Sequence, residues 1–381
     1  MKTEEYNSTI SKLQTRVKTF RGKYAFLSNY EYTLGADLLT RFGQQQMVNS
    51  GVKYYERYRN LTHRRMPAVR SSGQQRVVQS AQNFTQGYHQ ANLVDPTSAL
   101  PGTFPYDIVV ISEEAGSNNT LDHGLCTEFE KGSASIIDNY AQAQWQDIFI
   151  PSIQARLNAD MTGANLSQTE TRNMMDLCPF NTVATTNGTV SSFCALFTEE
   201  EWHQYDYYQS LGKYYGYGNG NPLGPTQGVG FVNELVARMT NQPVNDHTST
   251  NITLDSNATT FPIGQGHVLY ADFSHDNDIT GIFGALGLYN ATMALSNISI
   301  ETTEQTKGYS ASLTVPFAAR AYVEKMECQG EEEELVRILV NDRVLPLQTC
   351  GGDELGRCKL SAFIESLSFA RQGGRWDECF I

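Results

Sequence analysis

His275 and Asp276 follow a short run, His267 to Phe273, that reads as a strand. They precede Ile279, Ile282, Phe283, Leu286 and Tyr289, which recur at helical spacing. Strand, turn and helix in that order make a local site, because ligands of open α/β sheets gather at strand carboxyl ends and helix N-termini attract anions. A histidine there can donate a charged hydrogen bond to a phosphate oxygen, and the aspartic acid beside it can protonate a leaving group. An aspartate at a helix start also serves as a cap, and that alternative stays open for Asp276. Arg76 has a similar setting, in the first turn of a helix after Ser71-Ser72-Gly73. A guanidinium there adds its fork of donors to the helix dipole, with nearby Arg70 as a competitor and a solvated surface arginine as the plain alternative. Lys213, ahead of Tyr214-Tyr215-Gly216, is a third candidate cation or a surface lysine. G-x-S-x-G, H-E-x-x-H and Walker-type loops do not occur. Asp272, Asp276 and Asp278 are a weak metal set, since Asp272 and Asp276 fall on different elements and no His-rich partner follows. No metal or other cofactor is expected.

The elements around these residues are legible from periodicity. Met47, Gly51, Tyr54 and Tyr58 mark an amphipathic helix within 36–60, with Thr40 as its cap. After Pro67, Ala68-Val69 reads as a short strand entering the turn at 71–73, and Val77, Ala81, Phe84 and Tyr88 continue as the helix that carries Arg76. Tyr106 to Ser112 reads as a buried parallel strand. From about 116 to 266, helical stretches at 133–157 (with a break expected at Pro151), 167–175 and 229–239 are joined by Asn/Gly/Thr-rich loops, 216–228 being expected to be loose. Strands are expected at 312–316, 321–326 and 335–340, the last two half-buried and antiparallel. The expected fold class is α/β: a discontinuous α/β domain from 1–115 and 267–381, with a mostly α-helical domain inserted at 116–266.

Composition bounds what such a fold can do. The chain has 381 residues and a net charge of −13, from 28 Lys+Arg and 41 Asp+Glu, which argues against gripping nucleic acid or an anionic membrane over a broad face. No apolar run approaches the length of a membrane span. Ten Asn-X-Ser/Thr sequons, at Asn7, Asn60, Asn83, Asn118, Asn165, Asn187, Asn251, Asn257, Asn290 and Asn297, fit a secreted glycoprotein. The seven cysteines lack a C-x-x-C pair and read as disulfides with one left over. The charged start at Met1-Lys2-Thr3-Glu4 has no signal-peptide character, so the expectation is a sequence that begins inside a longer protein.

Ala271-Asp272-Phe273-Ser274-His275-Asp276-Asn277, followed by Phe283-Gly284-Ala285-Leu286-Gly287-Leu288-Tyr289-Asn290, closely resembles the His-Asp motif of the fungal phytases of the histidine acid phosphatase family. The resemblance runs from about Gly22 to the C-terminus, through Gly22-Lys23-Tyr24-Ala25-Phe26-Leu27, Arg70-Ser71-Ser72-Gly73, the segment from Asn221 to Gly230, and Val340-Asn341-Asp342-Arg343-Val344. It implies a histidine-phosphatase-like α/β sandwich with a helical insert. It also implies that Arg76 binds phosphate, His275 contacts it, Asp276 is the proton donor, and Asp176 and Lys213 line the substrate pocket. Gly212 stands where such phytases often carry a second lysine. The implied disulfides are Cys126 with Cys379, Cys178 with Cys194, and Cys350 with Cys358, leaving Cys328 unpaired.

The family's nucleophilic histidine lies in an Arg-His-Gly-x-Arg-x-Pro motif that occurs nowhere in the 381 residues. Aligned on the resemblance, Met1 falls just after it, and none of His63, His89, His123, His203, His247 or His267 has its flanks. The chain as written is therefore expected to be truncated, inactive and without the first strand of its sheet, with Cys328 having lost a partner upstream. For the complete protein the resemblance implies metal-free hydrolysis of myo-inositol hexakisphosphate (phytate) through a phosphohistidine, with an acidic optimum. A broad-specificity acid phosphatase and a non-catalytic phosphate-binding remnant are the alternatives.

Overall fold

The computed structural model describes residues 2–100, 102–264 and 266–380; Met1, Pro101, Gln265 and Ile381, which fall within the expected domain ranges, lie outside the described residues. A parallel sheet has β1 (Ala68–Ser72) at its centre, flanked by β2 (Val109–Ile111) and β3 (Tyr270–Phe273). β1 runs on through Ser72, so the turn expected at 71–73 begins only at Gly73. β2 is shorter than the expected 106–112 and forms an edge, with Val110 50% exposed rather than buried. Tyr106 has left the strand and is buried among Tyr54, Tyr55 and Tyr88. An antiparallel sheet holds β4 (Ala321–Met326), β5 (Leu335–Val340), β6 (Arg343–Leu345) and β7 (Arg357–Lys359). β5 lies at its centre and is buried on both faces, where one buried face was expected.

The main helices are α1 (Lys2–Arg16), α2 (Arg41–Arg57), α3 (Gln75–Val94), α4 (Ile137–Asp160), α5 (Gln168–Ala184), α6 (Glu199–Gly216), α7 (Val229–Thr240) and α8 (Asp276–Ala285). Thr40 caps α2 as expected, its hydroxyl accepting from the Gly43 N–H at 3.0 Å. α2 and α3 touch backbone to backbone: a Cβ on Gly51 would lie 2.0 Å from the Phe84 carbonyl oxygen, and only glycine permits that approach.

Three local expectations fail for tertiary reasons. α4 is unbroken at Pro151, because the proline forfeits one backbone bond while Phe149, Ile150, Ile153 and Leu157 bury around it. Residues 312–316 do not form a strand. Ala311–Thr314 is a helical turn whose N–H groups find acceptors on α6, Ala311 on the Ser210 hydroxyl and Ser312 on Asp206. Segment 216–228 is packed rather than loose. Buried Asn221 donates to the carbonyls of Ala134, Tyr215 and Gly216, and a Cβ on Gly228 would sit 2.5 Å from the Ile282 Cα of α8.

Core packing cuts across the expected domain boundaries. α1, from the stretch assigned to the α/β domain, buries Tyr6, Ile10 and Leu13 with Trp145, Met174 and Leu211 of the helical cluster. α7, from the stretch assigned to the insert, packs Val229 and Val232 with Phe283 of α8 and Val336 and Ile338 of β5. Disulfides join Cys126 to Cys379, Cys178 to Cys194 and Cys350 to Cys358, the pairs implied by the resemblance. Cys328 is a free thiol, its sulfur 3.6 Å from a guanidinium nitrogen of Arg357. Among the described residues, no helix is long and apolar enough to cross a membrane.

Candidate active site

Two strand ends and two helix starts meet at one place. β1 passes through Gly73 and Gln74 into α3, which sets Arg76 in the first turn, and β3 passes through Ser274 and His275 into α8, which begins at Asp276. Since β1 and β3 are parallel neighbours, with Ser71 opposite Phe273, both helix N-termini open at the same edge of the sheet. An Arg76 guanidinium nitrogen lies 3.5 Å from His275 Nδ1. The other terminal nitrogen of Arg76 donates to Asp37 at 2.8 Å.

The third strand end supplies a residue that sequence reasoning missed. Glu113, just past β2, accepts on one carboxylate oxygen from the Ser72 hydroxyl, from the Gln74 N–H at 2.9 Å and from His275 Nε2 at 3.0 Å. Because Arg76 only donates, we assign the His275 proton to Nε2, on Glu113, with Nδ1 accepting from the guanidinium side. Burial pushes the Glu113 carboxyl up, but the bonds from Ser72, His275 and Gln74 outweigh it and hold it below its ordinary range. The available signal was an acid directly after a strand's carboxyl end.

Asp276 is the first residue of α8, and the cap position belongs to His275. Its carboxylate is 52% exposed and pairs with the Lys213 ammonium from the last turn of α6. Lys213 also donates to the Asn277 side chain at 2.6 Å, a partner the sequence did not announce. Burial raises the Asp276 pKa, and the Lys213 charge and hydrogen bond bring it net below the usual value.

The structure thus brings Arg76, His275, Asp276 and Lys213 together through direct contacts. Asp176 sits on α5 in the helical cluster, accepting from Tyr6 at 3.1 Å and from Tyr205. Arg70, the competing arginine, does not face the site. It is 3% exposed and consumed by Glu234, at 2.6 and 3.0 Å, and Asp272, at 2.6 Å. The strand register explains this, since Arg70 lies directly opposite Asp272. Ligand atoms of Glu113, Asp122 and His275 lie within 4.8 Å of one another, a grouping of metal-ligand residues absent from the sequence reading. The Glu113 oxygen facing His275 already accepts three hydrogen bonds, and the Arg76 guanidinium beside His275 opposes a second cation. No step through a metal is derived.

Two acids outside these contacts have raised affinity for protons. Asp278 is buried and one of its carboxyl oxygens has no donor; burial, reinforced by Asp122 and Asp276 against the pull of His123, pushes its pKa up to about 7. Asp255, half-buried with its carboxyl oxygens covered beside Glu234, is also pushed up to about 7, chiefly by that loss of solvent. Burial lowers the His123 pKa, but Glu130, bonded to it at 2.6 Å, and Asp278 outweigh that and hold it at about 9.

These shifts set a pH profile for stability. Asp278 and Asp255 favour the folded state most fully below the ordinary carboxylate range, and lose that contribution as pH rises through about 7. His123 contributes fully below about 6.5 and loses its contribution as pH rises through about 9. Glu113, Asp272 and Asp276, held low, contribute above the ordinary carboxylate range and lose their contribution as pH falls through their folded values. The melting temperature should therefore peak at about pH 4–6 and decline toward pH 8. A melting temperature that rises between pH 5 and 8 would contradict the assignment.

The model of the histidine phosphatase superfamily (branch 2) matches residues 1–341. Phytase A of Aspergillus oryzae is 54% identical over 381 residues, covering 100% of this chain and 81% of the relative. Phytase A of Aspergillus fumigatus is 51% identical over the same length, with the same coverage of each chain. The crystal structure of the phytase from D. castellii superposes with a TM-score of 0.75 at 22% identity, covering 99% of this chain and 77% of that one. The multiple inositol polyphosphate phosphatase of Bifidobacterium longum, crystallised with inositol hexasulfate, gives a TM-score of 0.63 at 14% identity, covering 93% and 87%. These two structures share the fold, and the α/β sheet with helices around it is that of the histidine phosphatases. With the family model spanning most of the chain and relatives more than half identical across it, the chain belongs to the histidine phosphatase superfamily, branch 2, a family of phosphoric monoester hydrolases.

Proposed function

We propose that the site at the carboxyl ends of β1 and β3 holds and protonates inositol polyphosphates, phytate foremost, as part of a phosphohistidine mechanism. The observation that carries this reading is the convergence of Arg76, His275, Asp276 and Lys213 on two adjacent helix N-termini. Arg76 binds the equatorial oxygens of the phosphoryl group through its guanidinium, and His275, its Nε2–H held by the Glu113 carboxylate, lines the same position beside it. Asp276 gives its proton to the departing alkoxide oxygen as the P–O bond breaks. Lys213 meets another phosphate of the same ring, and Asp176 lies farther along the substrate surface. Phosphorus passes to the imidazole of an Arg-His-Gly-x-Arg-x-Pro histidine, which these 381 residues do not contain, and water then cleaves the P–N bond. The ten sequons support a secreted glycoprotein.

Phosphate release from phytate tests the reading. The polypeptide of these 381 residues alone should give none above a no-protein blank, and the same polypeptide joined at its amino end to a segment carrying the motif should give robust release. Release by the first, abolished by changing one of its own residues, would contradict the division of labour. Failure of the folded second would contradict the assignment of the site.

A further inference from the structure

The proton donor is held in the wrong state. While the Lys213 ammonium sits on the Asp276 carboxylate and on the Asn277 side chain, Asp276 is ionised and has no proton to give. Resting on the function proposed above, we propose that Lys213 is a clamp released by substrate: a second phosphate on the same substrate draws the ammonium off Asp276, and the freed carboxylate takes a proton from solvent. As phosphorus bonds to the imidazole of the motif histidine, the P–O bond of the departing alkoxide breaks with that proton moving to its oxygen.

The surroundings favour this sequence. Lys213 is the basic residue in the last turn of α6, and Gly212 beside it carries no side chain that could take over the clamp. A phosphate, with more negative charge than a carboxylate, outcompetes it for a shared ammonium. The side chains of the pair are 20% and 52% exposed, so an incoming anion reaches it. Once the ammonium leaves, the groups facing Asp276 are Asp278 on its own helix, which Asp122 faces in turn, and the Tyr217 hydroxyl at the end of α6, none of them cationic at acid pH. Asp138 faces the Lys213 side of the pair. The nearby cations are engaged elsewhere, His123 with Glu130 and Arg76 with Asp37, and the His275 ring is bonded to Glu113. A carboxylate left among acids gains affinity for a proton. A simple phosphomonoester, filling only the Arg76 and His275 position, leaves the clamp closed, so the device selects polyphosphorylated substrates.

Calorimetry on the 381-residue polypeptide at pH 5, in buffers of different ionisation enthalpy, counts the protons exchanged on binding. myo-Inositol hexasulfate is the probe, because its sulfates stay ionised and any proton taken up goes to the protein. Uptake is expected with hexasulfate and not with inorganic sulfate. Asp276→Asn should bind hexasulfate and lose that uptake, and Lys213→Met, whose acid is already unclamped, should lose it as well. Uptake unchanged in either folded variant, or equal uptake with inorganic sulfate, overturns the clamp while leaving the site reading intact. Absence of hexasulfate binding to the unmodified polypeptide overturns both.

Discussion

Asp276→Asn, in the polypeptide joined to a nucleophile-bearing segment, is expected to lower turnover of phytate by about 10²–10⁴-fold, the usual weight of general acid catalysis. An activated aryl phosphate should lose far less, because a phenolate of low basicity departs without a proton. The substitution is nearly isosteric and sits at the first residue of α8, whose cap position His275 fills, so little stability is at stake. Asparagine also retains an oxygen for Lys213. Steady-state rates on the two substrates give the comparison. Equal losses on both would remove Asp276 from the acid role and return it to a part in starting the helix.

The largest stability effect is expected at Arg70. Its guanidinium is shared between Glu234 and Asp272 and lies 5.0 Å from the centre of the Phe261 ring. Arg238 approaches the same ring at 4.8 Å and also holds Asp272. Arg70→Met keeps much of the volume but leaves Glu234 buried without its bidentate partner, which should cost about 3–5 kcal/mol in urea denaturation at pH 7. The loss should shrink toward pH 4, where the orphaned carboxyl can protonate. A change below about 1 kcal/mol would put Arg70 with ordinary surface substitutions.

The sequence makes some of this plain and hides the rest for identifiable reasons. α2, α3, α7 and α8 are legible because their apolar residues keep helical spacing and their starts carry caps or turns. The His275-Asp276 junction is legible because a strand pattern gives way to a helix pattern there. Contacts between elements are not written in local periodicity. Asp206 and Ser210 on α6 turn 311–314 into helix, Ile282 on α8 closes down on Gly228, and the helical cluster claims α1. Glu113 was hidden because its role depends on three strand ends meeting, and Arg70 was separable from Arg76 only once the register put it opposite Asp272. The cysteine pairs came from resemblance, since seven cysteines leave many pairings open.

The most direct measurement is the dissociation constant of myo-inositol hexakisphosphate for the 381-residue polypeptide and for its Arg76→Ala variant at pH 5. A lost charge-assisted hydrogen bond is worth about 1.5–3 kcal/mol, so binding should weaken by about 10- to 150-fold with the fold retained. An unchanged dissociation constant in the folded variant would mean that the phosphate does not lie where β1 and β3 end.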